Sequence, residues 1–236
     1  MTSIGILGAR GRMGRAIADA AAAAGTSVAD GTTPAELAAA SDVLVDFTAP
    51  DALAAHLAAA VDAGTPIVIG TTGLTPAHHQ AIDTAAAVIP IVQTANTSLG
   101  VNLLRALVEQ AARKLGPDWD IEIVEMHHRH KLDAPSGTAL LLGGAANRGR
   151  GAASDTALNR LDRSGQREEG SVHYASLRGG SVAGDHMVVF AGEGERIELG
   201  HRAEGRAIFA KGAVEAAIWL HSQKPGRYTM QDVLGL

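Results

Sequence analysis

The feature that most constrains this chain is the alternation, over residues 1–97, of short apolar β-type segments with alanine-rich helical stretches, and a glycine turn after the first segment. Ser3–Leu7, Thr26–Ala29, Val43–Phe47, Ile67–Ile69 and Ile89–Gln93 are brief, rich in valine and isoleucine, and closed by turn residues, which predicts strands. Between them, Thr33-Pro34-Ala35-Glu36 predicts a capping box with proline at the first helical position. Thr48-Ala49-Pro50-Asp51 and Thr75-Pro76 predict two further helix starts. Strands that are apolar throughout and separated by helices belong to a parallel sheet covered on both faces. The expected fold of this part is a doubly wound, Rossmann-like α/β domain.

Beyond it the pattern changes. A helix is predicted from about Ser98 to Leu115, a strand over Asp120–His127, and another helix from about Gly137. Residues 148–184 are rich in glycine, arginine and serine and show no periodicity. His186–Ala191 and Arg196–His201 alternate as strands and can pair as a hairpin across Gly192-Glu193-Gly194-Glu195. A last helix is predicted over about Arg206–Leu220. This part reads as α+β, with a largely open or antiparallel sheet.

Composition removes several kinds of function. The 236 residues carry no cysteine, which excludes disulfide frameworks, thiolate metal sites and cysteine nucleophiles. A formal net charge of −5 with 3% aromatic residues is the wrong balance for a nucleic-acid binder, which needs a basic surface and stacking side chains. No apolar run reaches the roughly 18–20 residues of a membrane span, and Met-Thr-Ser leads straight into Ile4 without a basic segment before an apolar core. No membrane association, no secretory signal and a cytoplasmic location are therefore expected.

Gly8-Ala9-Arg10-Gly11-Arg12-Met13-Gly14 lies between the first strand and the first helix, the context of a dinucleotide-binding turn. Glycine there permits the tight turn and close approach of backbone to pyrophosphate, and the helix start offers N–H groups and partial positive charge. The spacing is G-x-x-G-x-x-G instead of G-x-G-x-x-G, so a turn serving only strand–helix packing stays open. Arg10 and Arg12 reach phosphates or are solvated. Asp30, after the second strand, is the candidate for the adenosine ribose hydroxyls, with a solvated turn aspartate as the alternative. Gly70-Thr71-Thr72-Gly73 and Thr94-Ala95-Asn96-Thr97 follow the fourth and fifth strands, where such sheets place ligands. Their small and hydroxyl residues suit a flat nicotinamide ring and its ribose, or are ordinary turn chemistry.

The most informative stretch runs from Glu122 to Thr138. His127-His128-Arg129-His130-Lys131 leaves a strand and arrives at Pro135-Ser136-Gly137-Thr138, which reads as a capped helix start. The N–H groups of Gly137 and Thr138 would hold a carboxylate or phosphate, and cations converging there suit a substrate with more than one negative charge. Three histidines suggest metal, but Arg129 and Lys131 interleave them and repel a cation, so no metal is expected. A solvated basic loop stays open. The functional reading is acid–base chemistry by histidine and lysine.

Glu122 to Ala139 closely resembles the signature of the 4-hydroxy-tetrahydrodipicolinate reductase family, also called dihydrodipicolinate reductases. Further blocks resemble the same family in the same order: Gly8 to Gly14, Val45-Asp46-Phe47-Thr48, Gly70-Thr71-Thr72-Gly73, Asn96 to Asn102, and Tyr228 to Leu234. The resemblance implies a nucleotide-binding domain over 1–97, rejoined by 207–236, and a domain over 98–206 that binds substrate and builds a homotetramer. It implies NADH or NADPH as cofactor, contacted by Gly8 to Met13, Gly70 to Thr72 and Thr94 to Thr97. It implies reduction of a cyclic dicarboxylate in diaminopimelate and lysine biosynthesis, with His127 as proton donor or acceptor and Lys131 as proton donor. His128, Gly137 and Thr138 would bind the substrate carboxylates. The stretch between the second and third strands, Asp30 to Asp42, is shorter than in the family and lacks a clear acidic–basic pair, so the choice of cofactor stays open. Rival readings are another Rossmann-linked reductase, such as an aspartate dehydrogenase, and a non-catalytic dinucleotide-sensing module.

Overall fold

A computed structural model describes residues 1–151 and 166–236, together with the backbone of 158 and 159. Residues 152–157 and 160–165, inside the aperiodic stretch 148–184, lie outside the described residues. The chain forms two compact units, Met1–Leu99 with Ala207–Leu236, and Gly100–Arg206.

The first unit is built on six parallel strands: β1 (Ser3–Leu7), β2 (Ser27–Val28), β3 (Val43–Asp46), β4 (Ile67–Ile69), β5 (Pro90–Gln93) and, later in the chain, β11 (Gly226–Tyr228), in the order β11-β5-β4-β3-β1-β2. Its helices are α1 (Arg12–Ala23), α2 (Pro34–Ala40), α3 (Leu53–Ala63) and α4 (Pro76–Ala86), with α7 (Ala207–Leu220) and α8 (Met230–Leu234) after the second unit. Alternation along each strand divides the core in two. Ile4, Ile6, Val43, Val45 and Val68 face α1 and α7 through Ile17, Ala213 and Val214. Leu7, Leu44, Ile67 and Ile69 face α2, α3 and α4 through Leu37, Leu57 and Ile82. Both faces are covered, which is why these strands are apolar throughout. The capping boxes at Thr33 and Thr75 form as expected. The start predicted over Thr48-Ala49-Pro50-Asp51 is present as a 3₁₀ turn, Pro50–Ala52, that runs into α3, but Thr48 does not cap it, because its hydroxyl is bonded to Asp46.

In the second unit, α5 (Leu99–Leu115) leads to β6 (Asp120–His127) and α6 (Gly137–Arg150). Then come β7 (Leu158–Asn159), β8 (Val172–Arg178), β9 (Gly184–Gly192) and β10 (Glu195–Ala203). The sheet order is β10-β9-β6-β8-β7. The hairpin β9–β10 is present and extends beyond the predicted runs. The sheet is mixed, not simply antiparallel: β8 pairs parallel with β6, because α6 intervenes and carries the chain back in the same direction. One face packs Ile121, Ile123, Val188 and Phe190 against Leu142 and Ala146 of α6 and Val108 of α5. Among the described residues no helix is long and apolar enough to cross a membrane.

Candidate active site

In the first unit every residue predicted to meet a cofactor lies in a connection leaving the C-terminal end of a parallel strand or, for Arg12 and Met13, in the first turn of α1. Gly8 to Met13 follow β1, Asp30 follows β2, Gly70 to Thr72 follow β4 and Thr94 to Thr97 follow β5. β2 and β3 flank β1 on opposite sides, so the order of the sheet reverses at β1, the crevice where open α/β sheets bind ligands. Gly8 has φ 77°, a left-handed conformation that only glycine adopts cheaply, and a Cβ there would lie 2.8 Å from Thr48 Cγ2. The Gly11 N–H donates to the Gly8 carbonyl at 2.9 Å, closing the turn. A Cβ on Gly14 would lie 2.6 Å from Ala9 Cα, so glycine lets α1 start directly against the turn. Gly11 caps α1 with no side chain over its first N–H groups and no acidic residue in the first turn. These residues fit a dinucleotide pyrophosphate, and the chain's own residues that would hold it are Gly8 to Met13.

The hydroxyls of the other loops are turned inward. Thr71 Oγ1 donates to Asp46 Oδ1 at 3.2 Å, Thr94 Oγ1 to the Asn96 carbonyl at 2.8 Å, and Thr97 Oγ1 to the Phe209 carbonyl at 2.7 Å. These three shape their loops, while Thr72 and Ala95 are exposed. Asp30 is exposed, just past the last sheet bond of Ala29.

In the second unit the basic run divides. His127, the last residue of β6, is buried, while Arg129 and His130 are exposed and His128 is half-buried. Alternation along β6 puts Glu125 on the same face as His127, and His127 Nδ1 lies 2.6 Å from Glu125 Oε2. The Glu125 side chain has no exposure to solvent. Arg178 of β8 grips it with two bonds of 2.8 Å, and the Ser136 N–H donates to it at 3.2 Å. Burial favours the neutral acid, but bonds from Arg178, Ser176 and His127 outweigh it and hold Glu125 down at about 2. An ionised carboxylate only accepts, so the His127 proton at this contact sits on Nδ1, and Nε2 is the ring nitrogen that can accept another. Gly184 of β9 keeps the space beside it clear: a Cβ there would be 3.0 Å from His127 Nε2.

Ser136 joins this group to the start of α6. Its hydroxyl accepts from the Ala139 N–H at 3.1 Å as the helix cap and lies 2.9 Å from His186 Nε2. The His186 ring stands edge-on to His127 with centroids 5.1 Å apart. Burial, reinforced by the neighbouring His127, pushes His186 down to about 4, so it is neutral near pH 7. Gly137 is exposed and Thr138 half-exposed at the first turn of α6. Lys131, its side chain 21% exposed, pairs with the open carboxylate of Asp133 at 2.9 Å. Arg178 also donates to the Asp133 carbonyl at 2.6 Å, tying this loop to Glu125. Among the described residues no group of His, Asp and Glu is arranged to hold a metal ion.

Sequence reasoning missed Glu125, Arg178, His186 and Gly184, and placed Ser136 only in the capped helix start, where it is the cap. The period of two along a strand was a usable signal for Glu125. Nothing local marked Arg178, which reaches Glu125 only because β8 pairs with β6 in the register His127 opposite Arg178.

Residues 2–97 match the model of the family described as Dihydrodipicolinate reductase, N-terminus, and residues 100–234 that described as Dihydrodipicolinate reductase, C-terminus. The chain is 59% identical over 246 residues to the 4-hydroxy-tetrahydrodipicolinate reductase of Zymomonas mobilis subsp. mobilis, covering 99% of this chain and 97% of that protein. It is 55% identical to the 4-hydroxy-tetrahydrodipicolinate reductase of Methylocella silvestris, over 87% of this chain and 76% of that protein. The fold is similar to that of a dipicolinate-bound dihydrodipicolinate reductase from Paenisporosarcina sp. TG-14, with a TM-score of 0.78, 24% identity and 98% coverage of both chains.

Proposed function

The chain belongs to the dihydrodipicolinate reductase family, and we infer that it catalyses the reaction for which its relatives are named. That reaction is the nicotinamide-dependent reduction of 4-hydroxy-tetrahydrodipicolinate to tetrahydrodipicolinate in diaminopimelate and lysine biosynthesis. A hydride and a proton enter and water leaves. The observation that carries the acid–base assignment is the buried Glu125–His127 pair beside the capped start of α6. A reduced nicotinamide dinucleotide, when bound by the turn Gly8 to Met13, supplies the hydride. The second unit's residues hold the substrate and move the proton. The Gly137 and Thr138 N–H groups and His128 take the substrate carboxylates, the helix start favouring negative charge. His127 gives or takes its proton at Nε2, steadied by the Glu125 charge, and Lys131 donates on leaving Asp133.

The adenosine ribose end favours NADH. No lysine or arginine occurs between Arg15 and Arg105, and Asp30 brings negative charge to the end of β2. The donors of the next turn, Thr32 N, Thr32 Oγ1 and Thr33 N, are already bonded to the Glu36 carboxylate at 2.8, 2.7 and 3.2 Å. A ribose hydroxyl suits Asp30 better than a phosphate does.

The homotetramer is supported by the face of the second sheet opposite α5 and α6, where Val124, Met126, Leu177 and Met187 line a groove of about 470 Å³ and Leu177 is 51% exposed. The location is proposed as cytoplasmic. The test of the activity is oxidation of NADH followed by absorbance, with substrate made in situ from pyruvate and aspartate semialdehyde by the preceding synthase. Oxidation that needs both protein and substrate, and falls about 10²–10⁴-fold in His127→Ala and Lys131→Ala, supports the assignment. Near-unchanged turnover in both variants would remove these residues from the mechanism.

A further inference from the structure

The C-terminal end of β3 buries a carboxylate in the first unit. Asp46 is fully buried, and it is surrounded by donors. Its Oδ1 accepts from the Thr48 N–H at 2.9 Å, the Thr48 hydroxyl at 2.6 Å and the Thr71 hydroxyl at 3.2 Å. Its Oδ2 lies 2.8 Å from His56 Nδ1 of α3, a ring that is itself only 8% exposed. Burial by itself would raise the Asp46 carboxyl, but the bonds from His56 and Thr48 outweigh it and lower it, so the group is ionised. A single charge thus collects donors from the connection after β3, the connection after β4 and a helix.

We propose that Asp46 is a positioning residue for the nicotinamide cofactor, setting the shape of the connections after β1, β3 and β4 without touching the cofactor itself. Thr48, fixed on Asp46, places its methyl group 2.8 Å from where a Gly8 Cβ would stand, so it bears on the glycine turn. Thr71, fixed on the same oxygen, anchors the segment Gly70-Thr71-Thr72-Gly73. The Gly70 N–H donates to the Asp46 carbonyl at 2.8 Å, and the ring of Phe47 fills the space a Gly70 side chain would need. A surface turn needs no such anchor, and a carboxylate kept from water is costly unless its bonds are complete. The arrangement is a support layer that holds the backbone a ligand meets. The proposal rests on the cofactor assignment made above for the Gly8 turn.

The test is NADH titration of the intact protein by fluorescence, alongside steady-state kinetics. Asp46→Asn keeps the shape but cannot accept from every donor. It is expected to raise the Kd and KM for NADH about tenfold or more, with kcat and the substrate KM within about threefold. Should that variant fail to fold, Thr71→Val removes one donor at constant volume and is expected to weaken NADH severalfold, while Thr71→Ser, which keeps the hydroxyl, restores binding. Unchanged NADH affinity in folded Asp46→Asn, or equal weakening by Thr71→Val and Thr71→Ser, would overturn the proposal. Wild-type protein that binds no NADH would overturn the cofactor assignment itself, and the proposal with it.

Discussion

Glu125→Gln is the sharpest perturbation of the acid–base pair, because it alters one charge and almost no volume. The carboxylate is ringed by donors: His127 Nδ1 and Arg178 Nη1 on Oε2, Arg178 Nη2 and the Ser136 N–H on Oε1, and the Ser176 hydroxyl. Whichever way the amide turns, its NH₂ meets another donor. Arginine cannot give up its proton and the backbone N–H cannot move, so the groups that can adapt are the Ser176 hydroxyl, by rotating, and His127, by shifting its proton to Nε2. That tautomer blocks the atom proposed to accept a proton. The imidazolium form also loses its counter-charge, worth about 4 kcal/mol for unit charges about 4 Å apart at an effective dielectric near 20. Partial compensation leaves about 3–4 kcal/mol, or roughly 10²–10³ in kcat. The coupled NADH-oxidation assay should show that loss, with the acid–base limb of kcat moved to lower pH and the Kd for NADH unchanged. Calorimetry establishes that the variant is folded. A folded variant with kcat within about threefold of wild type and an unmoved pH profile would refute the role given to Glu125.

The remaining predictions concern the same two sites. Gly184→Ala places a methyl group 3.0 Å from His127 Nε2 and should lower kcat about tenfold while leaving NADH titration unaltered; wild-type turnover would show that Nε2 needs no clearance there. NADH should bind at least about tenfold more tightly than NADPH, and Asp30→Ser should narrow the gap; equal affinities in the wild type would remove Asp30 as the discriminator. Acid should destabilise the fold in two stages. His186 is lowered from 6.5 to about 4, so its contribution is complete above pH 6.5 and is lost as pH falls to about 4, by up to about 3 kcal/mol. Glu125 is lowered from 4.5 to about 2, so its contribution is complete above pH 4.5 and is lost below it. Urea midpoints at pH 7, 5 and 4 should show His186→Gln flattening the first stage only; an unaltered slope would remove His186 as its source.

The first unit was legible because its signals are local. Wholly apolar strands, capping boxes and a glycine turn each specify their own geometry within a few residues, and β1, β3, β4 and β5 fall within a residue or so of expectation. Thr48 misled because two acceptor–donor schemes compete over the same short span. It reads as a helix cap, yet the carboxylate two residues earlier takes its hydroxyl. The second unit was less legible because its defining pairings are distant. Val172–Arg178 has no alternation, with three buried residues followed by exposed ones, and becomes a strand by lying parallel to β6. The basic run His127 to Lys131 announced chemistry, and of its five residues the structure buries only His127. What separates His127 from its neighbours is the strand parity that sets it over Glu125.

Asp46 and Glu125 are the same device with different compensation, and the difference can be measured. Each is a buried acid near the end of a strand, and each meets a histidine Nδ1, at 2.8 and 2.6 Å. Both lie in stretches that resemble the family, yet neither was given a role, because burial and partners at a strand end are not local signals. Glu125 is balanced by the guanidinium of Arg178, whereas Asp46 is held by two threonines and His56. Neutralising Glu125 therefore strands a largely buried cation, a change that costs about 3–5 kcal/mol. Neutralising Asp46 leaves donors short of an acceptor, about 1–3 kcal/mol, with no guanidinium left unpaired. Asp46→Asn should thus lower the unfolding midpoint less than Glu125→Gln, although it removes a carboxylate just as deeply buried. The reverse order would mean that the donors around Asp46 depend on its charge as heavily as Arg178 depends on that of Glu125.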